Sequence, residues 1–204
     1  MIRILIVEDQ VMTRESLVYL INGQEDMEIV GQSGNAAEAL PLCGRLAPDL
    51  VLMDVCTDHD ESGIAAAAQI RERYPEIRII IMTGMPEITY LKRAKRAGVD
   101  SFLYKNVRGA TLLAAIRSAM DGYGTFPQEE PSPLPGNLRL TDPEIAILRL
   151  VCQAKSRKEI AKELAMSEGS VKAVITDILN KTGYDSIMKV AVFAVAKGYI
   201  NPNI

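Results

Sequence analysis

Four short, mostly apolar runs stand out in the first half of the chain: Ile4–Val7, Leu50–Met53, Ile79–Met82 and Ser101–Tyr104. Each is too short for a buried helix and reads as a strand covered on both faces, as in a parallel sheet flanked by helices. Between them, apolar positions return every three or four residues, the period of an amphipathic helix. The pattern predicts strand 3–7, helix 11–22, strand 27–32, helix 35–46 and strand 50–53. It continues with helix 63–74, strand 78–82, helix 87–97, strand 101–104 and helix 109–121. Five such units make a doubly wound α/β domain with a five-stranded parallel sheet. Short right-handed crossovers give it the flavodoxin-like strand order 2-1-3-4-5.

The alternation stops near residue 122. Between Gly122 and Gly136, four of the chain's ten prolines fall within nine residues. Proline fixes φ and lacks an N–H, so this stretch favours an extended, semi-rigid linker. Beyond it no strand pattern returns. Thr141-Asp-Pro-Glu144 and Ser156-Arg-Lys-Glu159 are capping boxes that open helices 142–153 and 157–165. Ser167 caps a helix 168–182 that ends at Gly183, and a fourth helix, 186–197, stops at Gly198. The expected organisation is therefore an α/β domain at 1–122, a linker at 123–137 and a small all-α domain at 138–204. Its second and third helices have helix-turn-helix proportions.

Charge refines this division. Residues 1–125 carry 13 Lys/Arg against 17 Asp/Glu, whereas residues 137–204 carry 10 against 7. A basic tail on an acidic body suits a nucleic-acid partner for the tail. No apolar run approaches the roughly 18 residues of a membrane span, and the first residues lack a signal-peptide pattern. The three cysteines, Cys43, Cys56 and Cys152, are odd in number and lack metal-ligand spacing. They read as reduced thiols of a cytoplasmic protein.

The chemistry lies where the strands end. Glu8 and Asp9 follow the first run, Asp54 follows the third strand, Thr83 the fourth and Lys105 the fifth. Ligands of open α/β sheets gather at the carboxyl ends of the strands, so these groups share one rim. Carboxylate oxygens suit Mg²⁺, with Asp9 and Asp54 as direct ligands, Glu8 acting through water and a backbone carbonyl at Cys56 supplying a further oxygen. Asp54 is placed to attack phosphorus and form an aspartyl phosphate. Lys105 and the Thr83 hydroxyl would then meet the phosphoryl oxygens. This chemistry is stoichiometric and self-directed, unlike that of a turnover enzyme.

With these residues in view, positions 1–122 resemble the receiver domain of two-component response regulators. The matches are Glu8-Asp9, Asp54, Thr83 and Lys105. The resemblance implies that Asp54 accepts its phosphoryl group from a sensor histidine kinase. It also implies that Thr83 and Phe102, three residues before Lys105, form a switch pair. The chain departs from the family pattern in the loop Val55–Gly63, which has no proline, places its glycine nine residues after Asp54 and carries the lone histidine, His59.

Helix 168–182 has an apolar stripe of Val171, Val174, Ile175, Ile178 and Leu179, opposite a face of Lys172, Ala173, Thr176, Asp177 and Asn180. Such a face can enter a DNA major groove. Residues 138–200 resemble the LuxR-type DNA-binding domain through Leu140–Glu144, Lys158–Ala161, Met166–Lys172, Ile178-Leu179, Lys181, Gly183 and Gly198–Ile200. The whole chain is similar to NarL/FixJ-type response regulators. By resemblance, Lys172, Ala173 and Thr176 face bases, Ser170 joins that surface, and Lys158 and Lys181 meet phosphates. The chain departs from this pattern at Ala154, Val174, Asp177 and Ile187. Asp177 places a negative charge toward a polyanion, which favours modest binding by a monomer and a need for dimerisation. The nearly all-apolar last helix offers Ile187, Val190, Ala191 and Ala194 as the face of a homodimer formed on phosphorylation.

The expectation is a phosphorylation-controlled transcription factor acting on double-stranded DNA. A protein-interaction module whose tail has lost DNA binding is the alternative, favoured by Asp177 and the small basic excess.

Overall fold

The computed structural model describes residues 1–58, 62–127 and 140–202. Contacts divide the chain into two units: Met1–Gly84 with Thr89–Pro127, and Met85–Ile88 with Gln128–Ile204.

In the first unit, β1 (Ile2–Val7), β2 (Met27–Ser33), β3 (Leu50–Asp54), β4 (Arg78–Thr83) and β5 (Ser101–Tyr104) alternate with α1 (Val11–Asn22), α2 (Ala39–Leu46), α3 (Gly63–Arg73), α4 (Tyr90–Arg96) and α5 (Gly109–Met120). The strands form one parallel sheet in the order β2-β1-β3-β4-β5, as the pattern implies. Side chains alternate between faces with period two. Ile4, Ile6, Leu50, Leu52, Ile80 and Met82 pack with Leu17 and Ile21 of α1 and with Leu112 and Ile116 of α5. The intervening Leu5, Val7, Val51, Met53, Ile79 and Ile81 are equally buried on the other face. Strand order reverses at β1, so β1 and β3 diverge into their helices from adjacent strand ends. That opens the crevice in which doubly wound sheets hold ligands.

Two expectations are corrected in this unit. The fourth helix starts at Tyr90 rather than near residue 87, and Met85–Ile88 groups with the second unit. The linker was expected from residue 123, yet Phe102 N–H donates to the Thr125 carbonyl (2.8 Å) and Thr125 N–H to Ser101 Oγ (2.9 Å). Backbone hydrogen bonding along β5 therefore keeps this segment with the sheet. Most of the predicted linker, residues 128–137, lies outside the described residues, as does His59.

The second unit contains α6 (Asp142–Cys152), α7 (Arg157–Glu163), α8 (Glu168–Thr182) and α9 (Ile187–Ala196). Both capping boxes form: Thr141 N–H donates to Glu144 (2.7 Å) and Ser156 N–H to Glu159 (2.7 Å). Each satisfies backbone donors that a helix start leaves open. Ser167 caps α8 by accepting from Ser170 N–H (3.0 Å). Gly183 ends α8 in the left-handed region (φ 73°), and Ala154 adopts the same region (φ 60°) without a glycine's freedom. Ile147, Leu148, Ile160, Val171, Ile175, Ile178 and Val190 build the core, with Ile88 packed against it. The buried Glu87 carboxylate pairs with Arg149 of α6 at 2.9 Å.

Candidate phosphoacceptor site and helix-turn-helix surface

Glu8 and Asp9 follow β1, whose four inward residues fix the strand and so deliver both acids to the crevice. Asp54 is the last residue of β3 and only 6% exposed; Glu8 is 2% exposed. Carboxylate oxygens of Glu8, Asp9 and Asp54 lie within 4.8 Å of one another. Lys105, just past β5, reaches across the strand ends. Its ammonium lies 2.7 Å from Asp54 Oδ2 and bonds both oxygens of Glu8, at 2.9 and 2.7 Å. Val55 N–H donates to Asp54 Oδ1 at 2.7 Å. Thr83 ends β4 and is buried, and its carbonyl accepts from Lys105 N–H (2.8 Å). Phe102 is fully buried and meets Tyr104 edge-on, with ring centroids 5.6 Å apart.

Two carboxylates, Glu8 and Asp54, share the Lys105 ammonium, with Asp9 close by. Burial raises the Asp54 pKa, and the Asp9 charge adds to the rise, against the lowering effects of Lys105 and of Val55 N–H. Burial likewise raises Glu8, assisted by the charge of Asp54. Burial alone would lower Lys105, but its bonds and charge interactions with Asp54 and Glu8 prevail and raise it. A buried ion pair usually lowers its carboxylate; here burial is the largest effect on both acids and outweighs Lys105. Asp9 Oδ1 is buried and has no hydrogen-bond partner among the described residues. An orphaned anionic oxygen in an acid-rich pocket fits a hard divalent cation.

Gly63 opens α3 against Asp54. A Cβ there would lie 1.8 Å from the Asp54 carbonyl oxygen, so only glycine fits. An isolated antiparallel bridge pairs Cys56 with Ser62 beside it.

Sequence reasoning missed Arg14. Its guanidinium reaches back from α1 to donate to the Glu8 carbonyl and, at 3.4 Å, to that of Asp9. The signal was its position one turn into a helix that starts beside the acidic pair.

In the second unit, Lys158, Ser170, Lys172, Ala173 and Thr176 are all exposed, as is Asp177. The Thr176 hydroxyl donates to the Lys172 carbonyl (3.0 Å) within its own helix. Lys181, expected to meet phosphates, is engaged within the fold of the free protein. Its ammonium bonds both oxygens of the buried Glu144, at 2.7 and 2.8 Å, because that carboxylate needs a partner inside the fold. This bond and that of Thr141 hold the Glu144 pKa below the usual carboxylate range, against the opposing effect of burial.

The dimer face also needs correction. Val190, Ala191 and Ala194 lie in the core and Ile187 packs against it. The exposed apolar stripe of α9 is instead Met188, Val192 and Val195, at 52, 65 and 42% exposure.

Residues 4–117 match the response regulator receiver domain family, and residues 138–194 match the luxR family of bacterial regulatory proteins. The chain therefore belongs to the two-component response regulators, with a receiver domain followed by a LuxR-type DNA-binding domain. It is 36% identical over 182 residues to the transcriptional regulatory protein DesR of Bacillus subtilis (strain 168), covering 89% of this chain and 90% of that one. It is 30% identical over 212 residues to LiaR of the same organism, covering 98% and 100%. The RcsB response regulator of Salmonella typhimurium shares the fold, with a TM-score of 0.68 at 19% identity over 96% of this chain and 100% of that one. No helix among the described residues is long and apolar enough to cross a membrane.

Proposed function

We propose that Asp54 is the phosphoacceptor of a cytoplasmic signalling pathway and that its phosphorylation controls DNA binding by the helix-turn-helix domain. The observation that carries this reading is the pairing of Lys105 with both Asp54 and Glu8 beside the orphaned Asp9 oxygen. An Asp54 carboxylate oxygen attacks the phosphorus of a kinase phosphohistidine; the oxygen–phosphorus bond forms as the phosphorus–nitrogen bond breaks. Asp9, Asp54 and the Cys56 carbonyl would hold Mg²⁺, with Glu8 beside them, and the ion would supply positive charge to the phosphoryl oxygens. Lys105 turns its ammonium from the carboxylates toward those oxygens, and Thr83 donates its hydroxyl to one of them. Withdrawal of Thr83 and the packing of Phe102 carry the change to the α4–β5–α5 side. The phosphorylated protein then pairs with a second copy through α9 and presents two α8 helices to a two-fold site on double-stranded DNA. Solved structures described as RcsB with promoter DNA and as RcsB dimers on DNA support this arrangement by analogy. Asp54 would be modified and restored by its own site, without turnover of an external substrate.

A second reading is a phospho-regulated protein-interaction module. The exposure of Asp177 on the recognition face and the engagement of Lys181 by Glu144 favour it.

Selection of duplexes from fragmented genomic DNA separates the two. With Mg²⁺ and beryllofluoride as phosphoryl mimic, the intact protein should retain specific duplexes at least tenfold better than without them, and Asp54→Asn should lose that gain. Absence of selective binding in either state would favour the interaction module.

A further inference from the structure

The loop after Asp54 contains no proline, and hydrogen bonds hold its first residues. Thr57 Oγ accepts from Ala36 N–H (3.0 Å), and Asp58 N–H donates to the Gly34 carbonyl (3.0 Å), a bond a proline cannot make. Both ties face the β2–α2 side. On the opposite side, Cys56 Sγ lies 3.3 Å from the phenolic oxygen of Tyr90. Tyr90 opens α4 and is fully buried. This hydrogen bond ties the Cys56 side chain, and with it the neighbouring backbone, to the first turn of α4.

We propose that Cys56 and Tyr90 form a positioning pair that holds the cation-binding loop against α4, setting the affinity of the site for Mg²⁺ and the lifetime of the phosphoryl group on Asp54. This rests on the reading of Asp54 as a Mg²⁺-dependent phosphoacceptor. The Cys56 carbonyl is the one proposed cation ligand supplied by the backbone, so its placement depends on whatever restrains its residue. Val55 on one side is held by Gly63 N–H (2.9 Å) and Thr57 on the other by Ala36. Cys56 itself lies opposite Ser62 and is tied through its side chain to Tyr90. The bond also gives the site a mechanical link to α4 that does not run through Thr83.

The test uses the intact chain and four variants: Tyr90→Phe, Cys56→Ala, the double variant and Cys56→Ser. Mg²⁺ affinity is measured by calorimetry, and phosphoryl lifetime by loss of label from Asp54. Tyr90→Phe keeps the buried ring, so its melting temperature without Mg²⁺ should stay close to wild type. A single hydrogen bond contributes about 0.5–1.5 kcal/mol, so Tyr90→Phe and Cys56→Ala should each weaken Mg²⁺ binding by about three- to tenfold and alter the phosphoryl lifetime in step. The double variant should be no worse than the weaker single one, and Cys56→Ser, which retains a short hydroxyl, should recover most of the loss. Unchanged Mg²⁺ affinity in both single variants, or fully additive losses, would overturn the pairing. Failure of the wild-type protein to bind Mg²⁺ or accept phosphate would instead overturn the phosphoacceptor reading itself.

Discussion

Asp54 and Glu8 are held in a place that disfavours their charge. Burial raises both pKa values, and the ammonium of Lys105 offsets only part of that effect. Between the carboxylate values of the unfolded chain, about 4, and the raised values of the folded one, the native state binds more protons than the unfolded state. Stability therefore falls as pH rises through that window. The raised Lys105 value acts only at alkaline pH and does not enter. Asp54→Asn removes one of the crowded charges. At pH 7 without Mg²⁺ the intact variant should melt a few degrees above wild type, the response to about 1 kcal/mol in a protein of this size, and the gap should close toward pH 4. Added Mg²⁺ should raise the wild-type melting temperature, by ligand linkage, more than that of the variant. Calorimetry at three pH values checks this; a variant less stable than wild type at pH 7 would show that Asp54 is stabilised by Lys105 more than it is penalised by burial.

At the scale of elements, the strands were legible because each is a short apolar run ending in a polar residue with a task, and burial on both faces leaves no other reading for Leu50–Met53 or Ile79–Met82. The rim chemistry followed from the same runs, since a strand's end fixes where Asp54, Thr83 and Lys105 emerge. What was not legible depended on distance or on degeneracy. Pro86-Glu87-Ile88 has the composition of a helix start, yet those residues pack in the second unit, and no local pattern encodes that. Lys181 sits 37 residues from Glu144, and no spacing rule connects them. Helix α9 is apolar nearly all round, so periodicity could not choose which stripe faces inward. The structure makes the choice testable. Val190→Lys places an ammonium in a core position of no exposure and should cost several kcal/mol, unfolding the helical unit. Val192→Lys lies on the exposed stripe and should leave circular dichroism and melting temperature near wild type while abolishing dimeric binding to DNA. Unchanged dimerisation in Val192→Lys, measured by sedimentation with beryllofluoride present, would move the interface off α9.

For the whole molecule the question is how an acidic protein, with net charge −3, holds a polyanion. The second unit must do so with few cations, because each one spent inside the fold is lost to DNA. Affinity for a duplex falls with salt by about 0.9 in log–log slope per phosphate neutralised, so the slope reports which lysines take part. Lys158 and Lys172 are exposed, whereas Lys181 is bonded twice to a buried carboxylate whose desolvation makes that partner hard to give up. In a dimer each lysine counts twice. Lys158→Met should therefore flatten the slope by about 2 units, and Lys181→Met should leave it nearly unchanged. Glu144→Gln would release the Lys181 ammonium, steepening the slope by about 2 units and tightening binding to non-specific duplex. The measurement is a salt titration of the intact protein on one selected duplex with Mg²⁺ and beryllofluoride. A flattened slope in Lys181→Met equal to that of Lys158→Met would mean that Lys181 leaves Glu144 on binding, and that the pair seen in the free protein gates the contact rather than removing it.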